Sequence, residues 1–280
     1  HRGTSRKGDV LLLEEQDSVA DALGIGDADV MMSQVAASAR TITWIADDVF
    51  LRVRNSLRRL RLRAGKPKRI ADHVDLVDGT VAIAPGSPVS TDQALMLRLA
   101  VAAAENEARL DRDSLDQLVD HGAEITTPWS DKLRELFVRL LRTGDSAIHV
   151  VEALDHVGLF TRLLPEWEPN RSKVQRNQYH RFTVDRHLLE ASSIASTLTD
   201  TVDRPDLLVV GALLHDIGKG YPGDHTEVGI VLIDTIASNM GFTVADVDML
   251  KRLCEHHLLL VDVASRRDIE DPGTIAAVAE

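Results

Sequence analysis

Along most of this chain, apolar positions recur at intervals of three and four, the spacing that lines one face of a helix. Val30, Gln34, Ala37, Thr41, Ile45 and Val49 follow that step and Val53, Leu57 and Leu60 continue it, so Val10 to Arg63 is expected to be helical. Gly24 and Gly26 end an earlier short helix near Ala20. Alternation replaces the helical period only once, from Ile70 to Val77 and again from Thr80 to Ala84. The Asp78-Gly79 between them is a strong hairpin signal. Pro85, Gly86 and Pro88 close the hairpin, and Ser90 and Thr91 offer an N-cap for a helix over Ala94 to Glu107. Helices follow over 112–121, 129–141 and 146–157, with Gly144 and Gly158 placed as C-caps. The run LLPEWEPNRSK, 163–173, holds two prolines and little periodicity, which marks a domain boundary.

Beyond that run the helical period returns. Leu188, Ile194, Ala195 and Leu198 form the inward side of one helix, Val228, Val231, Leu232 and Ile236 that of a second, and Val247, Leu250 and Cys254 that of a third. Asp271-Pro272 opens a last one. The expectation is a mainly α chain, with a helical region carrying one small β-hairpin over 1–165 and an all-α domain over 166–280. Leu207 to Gly220, LLVVGALLHDIGKG, breaks the amphipathic pattern. Its apolar run is unbroken from Leu207 to Leu214, so the element is buried, and it stops at His215-Asp216 with Gly218 and Gly220 around Lys219.

Composition narrows the class. The chain has 280 residues, 44% apolar and 27% charged, the balance of a globular protein. Only 4% are aromatic, so its cores are built from Leu, Val, Ile and Ala, which favours helices. A net charge of −12 argues against general nucleic-acid affinity, because no basic surplus is available to displace counterions. The nine Arg and Lys residues between Arg52 and Arg69 read either as a phosphate-binding face or as the solvated side of a helix entering a linker; the acidic remainder favours the second. Cys254 is the only cysteine, so no intrachain disulfide forms and a reducing compartment is indicated. No apolar run approaches the roughly 20 residues of a membrane span, and no secretory signal is visible. The cytoplasm is the expected location, and a start at His1 rather than Met points to a piece of a longer chain.

Six of the eleven histidines fall between Tyr179 and His257. His187, His215-Asp216, His225 and His256-His257 lie on four successive predicted helices, mostly at helix ends. A lone histidine in a helical core is usually hydrogen-bonded and inert. Donors recurring on several elements are what a divalent-metal site requires. Adjacent residues in a regular helix diverge by about 100°, so His215-Asp216 serves one centre only where the helix is ending, as Gly218 and Gly220 indicate. His180 reads as structural. Lys219 is either a phosphate contact or an exposed loop lysine, and Asp224 either supports the site or belongs to loop chemistry.

The order H…HD…H…HH with HDIGKG resembles the HD superfamily of metal-dependent phosphohydrolases. NQYHRFTVDRHLLEA (177–191), ALLHDIGKGYPGDHTEVG (212–229), ASRRDIEDP (264–272) and the VDLVDGTVAI hairpin (74–83) are similar, over essentially the whole chain, to the bifunctional PII uridylyltransferase/uridylyl-removing enzyme family. The resemblance implies His187, His215 and Asp216 as metal ligands, with His225, His256 and His257 as the additional ligands of two-metal members. His215, Asp216 and Lys219 carry the catalytic expectation. It also implies one or two divalent ions, Mg or Mn first and Fe or Zn as alternatives, and hydrolysis of a nucleotidyl group (UMP or AMP) from the PII signalling protein. Glutamine would act only through ligand-sensing domains that this chain lacks. The family's transferase motif, a Gly-Ser followed by Asp-x-Asp, does not occur here. The Asp that completes the site in this family lies in a helix beyond the last residue, leaving Asp268 as the substitute. Two other readings stay open: a free-standing HD hydrolase of small nucleotides, and a non-catalytic module that binds PII.

Overall fold

The computed structural model describes residues 11–61, 66–175 and 182–279. The basic first residues, Tyr179, His180 and the arginine side chains from Arg52 to Arg63 lie outside the described residues. Arg69, at the end of the basic run, pairs with Asp75 at 2.6 Å.

Helix α1 (Gln16–Ala22) ends where Gly24 takes a left-handed conformation, and α2 (Ala28–Arg61) runs on for 34 residues. Ala20, Ala28 and Met31 form their small shared core. The expected helix is present but its stripe faces outward: Val30, Ile45, Val49 and Val53 are each about half exposed. Polar groups attach α2 to the body instead. Arg40 reaches Asp155 at 2.9 Å and also bonds Asp185, while Trp44 stacks on His156 with the Arg112 guanidinium 4.1 Å from its ring centre. A 3.6-residue period identifies a helix without saying which neighbour its apolar side meets.

The sheet is larger than one hairpin. Strands β1 (Lys68–Ala71), β2 (Val74–Val77) and β3 (Thr80–Ile83) form an antiparallel meander, and β4 (Arg109–Leu110) adds in parallel to β3. Asp78 and Gly79 both take positive φ, as the tight β2–β3 turn demands. The β1–β2 turn instead puts His73 at positive φ, which carries no glycine signal in the sequence. Strand β4 pairs only after α3 (Leu95–Glu105) brings the chain back, a contact that local pattern does not reveal.

Helix α3 is buried along nearly its whole length, over Val74 and Val81 of the sheet. Neither Ser90 nor Thr91 caps its start; Ala94 is the N-cap residue, and Asp92 accepts from the Ala94 N–H and pairs with Arg98. Helices α4 (Arg112–His121), α5 (Asp131–Leu141), α6 (Asp145–His156) and α7 (Leu159–Leu163) continue the layer. Gly158 follows α6 in the left-handed conformation as expected, whereas Gly144 precedes α6 as its N-cap.

The 163–173 run is densely packed. Pro165–Asn170 forms a 3-10 helix with Trp167 and Asn170 fully buried, and one hydrophobic cluster continues from Val74 through Trp167 to Cys254. After it come α8 (Val184–Ser196), α9 (Pro205–Leu214), a 3-10 turn Ile217–Gly220, α10 (His225–Asn239), α11 (Val244–Glu255), α12 (Leu259–Arg266) and α13 (Pro272–Ala279). Leu188 and Ala195 point inward as expected, but Ile194 and Leu198 are exposed, and so is Val231. Ile194 lies about 100° around its helix from buried Ser193 and Ala195, and Leu198 lies beyond the end of α8. Ile236 is buried as expected and Leu232 packs against the core, and Gly229, Ile233 and Ala237 complete the buried line of α10. Val247, Leu250 and Cys254 are buried on α11. Among the described residues, no helix is long and apolar enough to cross a membrane.

Candidate metal centre

Helix α9 is apolar all round and buried, which makes it the central rod of the C-terminal half. At its end the backbone leaves helical geometry: His215 is the C-cap and Asp216 has φ −118°, ψ 18°. The divergence expected of adjacent helical residues is thereby removed, and both side chains enter one centre. Gly218 makes the next step possible. A Cβ there would lie 2.0 Å from the His225 carbonyl oxygen and 2.7 Å from the Gly229 nitrogen, so the turn sits directly on the start of α10. Asp224 is the N-cap of α10, accepting from the Thr226 and Glu227 N–H groups, and it thereby sets where His225 begins.

Asp216 lies at the middle, its side chain 3% exposed. Its Oδ2 is 3.2 Å from His187 Nε2 and 3.3 Å from His215 Nε2, and those two nitrogens are 3.2 Å apart. Its Oδ1 is 3.6 Å from His225 Nε2 and 3.4 Å from His257 Nε2. Two donor triads therefore share one carboxylate, each with its own oxygen. Ligands about 2.0–2.2 Å from a common ion stand roughly 2.8–3.6 Å from one another, the range seen here. Lys219 Nζ donates to Asp216 Oδ2 at 2.7 Å and to Gln175 Oε1 at 3.1 Å.

The hydrogen bonds behind the ring nitrogens test whether a cation fits. His215 Nδ1–H donates to the Ala212 carbonyl at 2.7 Å, and His257 Nδ1–H to the Cys254 carbonyl at 2.6 Å. Each bond leaves Nε2 with its lone pair turned toward Asp216. His257 Nε2 and Asp216 Oδ1 are both buried and neither has a hydrogen-bond partner. Acceptor facing acceptor at this range is unfavourable unless a cation lies between them, and a divalent ion at each triad would supply it. Without an ion, the same contacts favour an ionised Asp216 and a protonated His257. Burial pushes the Asp216 carboxyl upward, but the imidazoles of His187, His215 and His257 outweigh it and hold the group well below the usual carboxylate range. The adjacent Asp216 carboxylate, helped by the Cys254 carbonyl, raises His257 against burial and Lys219.

Five of the six residues expected as ligands meet at this centre. His256 does not: its side chain is 58% exposed and its nearest charged neighbour is Glu255, at 3.9 Å. It is the C-cap of α11, where the helix ends and adjacent residues still diverge, so only His257 turns inward. Asp268 is also elsewhere, accepting from the Glu270 N–H ahead of α13. Two supporting residues had no sequence signal: Gln175, which holds Lys219, and Cys254, whose thiol donates to the His215 carbonyl at 3.2 Å from beneath the centre.

Comparison with known proteins agrees with this geometry. Residues 184–280 match the HD domain family. The whole chain is 44% identical to a bifunctional uridylyltransferase/uridylyl-removing enzyme of Streptomyces coelicolor and 37% identical to one of Mycobacterium tuberculosis, spanning 35% of each. A Corynebacterium glutamicum protein of the same description is 32% identical over 98% of the chain, which spans 40% of it. The chain thus covers little more than a third of the length of these relatives, and the resemblance read from its motifs holds throughout.

Proposed function

Starting from an HD domain at 184–280 in a chain similar throughout to uridylyl-removing enzymes, we propose that this centre hydrolyses the phosphodiester joining a nucleotidyl group to the PII signalling protein, in the cytoplasm, as one activity of a larger bifunctional nucleotidyltransferase. The observation that carries the proposal is Asp216, which offers one oxygen to each of two histidine groups beside an ammonium. In this reading 1–165 is the helical region that follows a transferase core and 166–280 is the hydrolytic domain.

His187, His215 and Asp216 would hold one divalent ion, and His225, His257 and the other Asp216 oxygen a second; Mg or Mn is the expected metal, with Fe or Zn the alternatives that so imidazole-rich a donor set suits. Bound metal at such a centre lowers the pKa of a coordinated water and neutralises phosphoryl oxygens. The chain's own part is positional. The Ala212 and Cys254 carbonyls fix the His215 and His257 tautomers so that both rings present Nε2. Lys219, held by Asp216 and Gln175, would be the contact to a phosphoryl oxygen. Apolar α9 closes the floor of the site.

The test is to incubate nucleotidylated PII with this chain and Mn²⁺ or Mg²⁺ and follow nucleotide release. Release is expected with the wild-type chain, with loss in Asp216→Asn and His215→Ala. Failure to release nucleotide from PII, alongside hydrolysis of free nucleotides, would overturn the proposal in favour of a small-molecule hydrolase. Failure to bind Mn²⁺ would remove the catalytic reading altogether.

A further inference from the structure

We infer that Asn170, from the 3-10 helix Pro165–Asn170 and outside the HD match, is a positioning residue for the metal centre. The inference rests on the metal reading of Asp216 given above. Asn170 is completely buried. Its Nδ2 donates to the Ile217 carbonyl at 3.0 Å, and Ile217 directly follows Asp216; the same nitrogen is 3.5 Å from the Glu166 carbonyl.

The amide also packs on the far end of the same turn. A Cβ at Gly220 would lie 2.8 Å from Asn170 Cγ and Nδ2, closer than side chains approach, so the turn rests against Asn170 without an intervening methyl group. Next in the chain, Tyr221 Oη donates to the Glu166 carbonyl at 3.2 Å, tying the turn to the same 3-10 helix a second time.

The opposite side of the turn is equally constrained, because Gly218 abuts the His225 carbonyl. Asp216 and Lys219 thus sit on four residues of backbone gripped from two directions. One side is the start of α10, which carries His225. The other is Asn170. A shift of the turn away from Asn170 would move Asp216 relative to both histidine groups at once, since one carboxylate serves both. Asn170 is not a member of either donor triad and acts through the Ile217 carbonyl and Gly220. The hydrolytic centre is therefore completed from outside the matched domain. A fragment beginning at the match would lack its support.

The experiment compares Asn170→Asp, Asn170→Ala and Trp167→Phe in the full chain. Asn170→Asp keeps shape but sets a carboxylate against a carbonyl. Trp167→Phe loosens the same 3-10 helix at a residue that makes no described hydrogen bond to the turn. Mn²⁺ affinity is read by calorimetry, the visible spectrum of Co²⁺-loaded protein reports ligand geometry, and thermal melting reports stability. Both Asn170 variants should bind Mn²⁺ about tenfold or more weakly, as loss of ligand support does elsewhere, and should alter the Co²⁺ bands. Trp167→Phe should melt earlier yet keep wild-type affinity and spectrum. Unchanged affinity and spectrum in Asn170→Asp would overturn the inference, as would an equal binding loss in Trp167→Phe. Wild-type protein that binds neither ion would overturn the metal reading, and this inference with it.

Discussion

Replacing Gly218 by alanine tests the local geometry without touching a ligand. The added Cβ would fall 2.0 Å from the His225 carbonyl oxygen and 2.7 Å from the Gly229 nitrogen, both backbone atoms that no rotamer change can move. Relief requires the turn and α10 to part by about 1 Å to reach even a tight contact. Helix α10 is not free to yield, because Asp224 caps its start and Gly229 lies against Cys254, where a Cβ would be 2.9 Å from the sulfur. Overpacking of this kind costs about 3 kcal/mol, the upper part of the usual range. For a chain of this size that corresponds to a fall in Tm of roughly 6 °C or more. The strain also separates Asp216 from His225, so Mn²⁺ affinity should drop about tenfold or more. Thermal melts with and without Mn²⁺, together with calorimetric titration, measure both effects. A Gly218→Ala protein that melts within about 1 °C of wild type and binds Mn²⁺ equally would refute the close-packed turn.

The paired histidines give a sharper contrast. His257→Ala should weaken Mn²⁺ binding strongly, whereas His256→Ala should leave affinity and nucleotide release at wild-type levels, because only the former reaches Asp216. Cys254 is fully buried, and burial, reinforced by Asp216 and Glu255, pushes its thiol up to about 11. Alkylation by iodoacetamide at pH 8 should therefore proceed only as fast as the domain opens, and rapid labelling of folded protein would contradict this. His156 is held below its ordinary pKa by burial first and then by Arg112, Arg40 and Arg171, against Asp155. Its contribution to docking α2 is therefore complete above about pH 6.5 and lost as pH falls through its lowered value. Fluorescence of the partly exposed Trp44, stacked on His156, should change on acidification below that point, and His156→Phe should abolish the change.

Much of this protein is legible from residue order. Helical periods locate most helices, Asp78-Gly79 places its hairpin, and glycines after His215-Asp216 announce a terminated helix whose two polar residues converge. These are local effects, set within a few residues by backbone sterics and hydrogen bonding. Tertiary structure decided what depends on distant partners. The stripe on α2 faces outward because Arg40 and Trp44, not its aliphatic residues, meet the body. Strand β4 pairs with β3 only because α3 returns the chain. His257 rather than His256 enters the centre because the two side chains diverge just past the end of α11, a difference of one residue that periodicity does not resolve. A proline-rich run that reads as a boundary supplies buried Trp167 and Asn170, since burial is a property of the whole packed core. The sequence alone names the chemistry at Asp216. Only the packed chain makes one carboxylate the shared centre of two histidine groups.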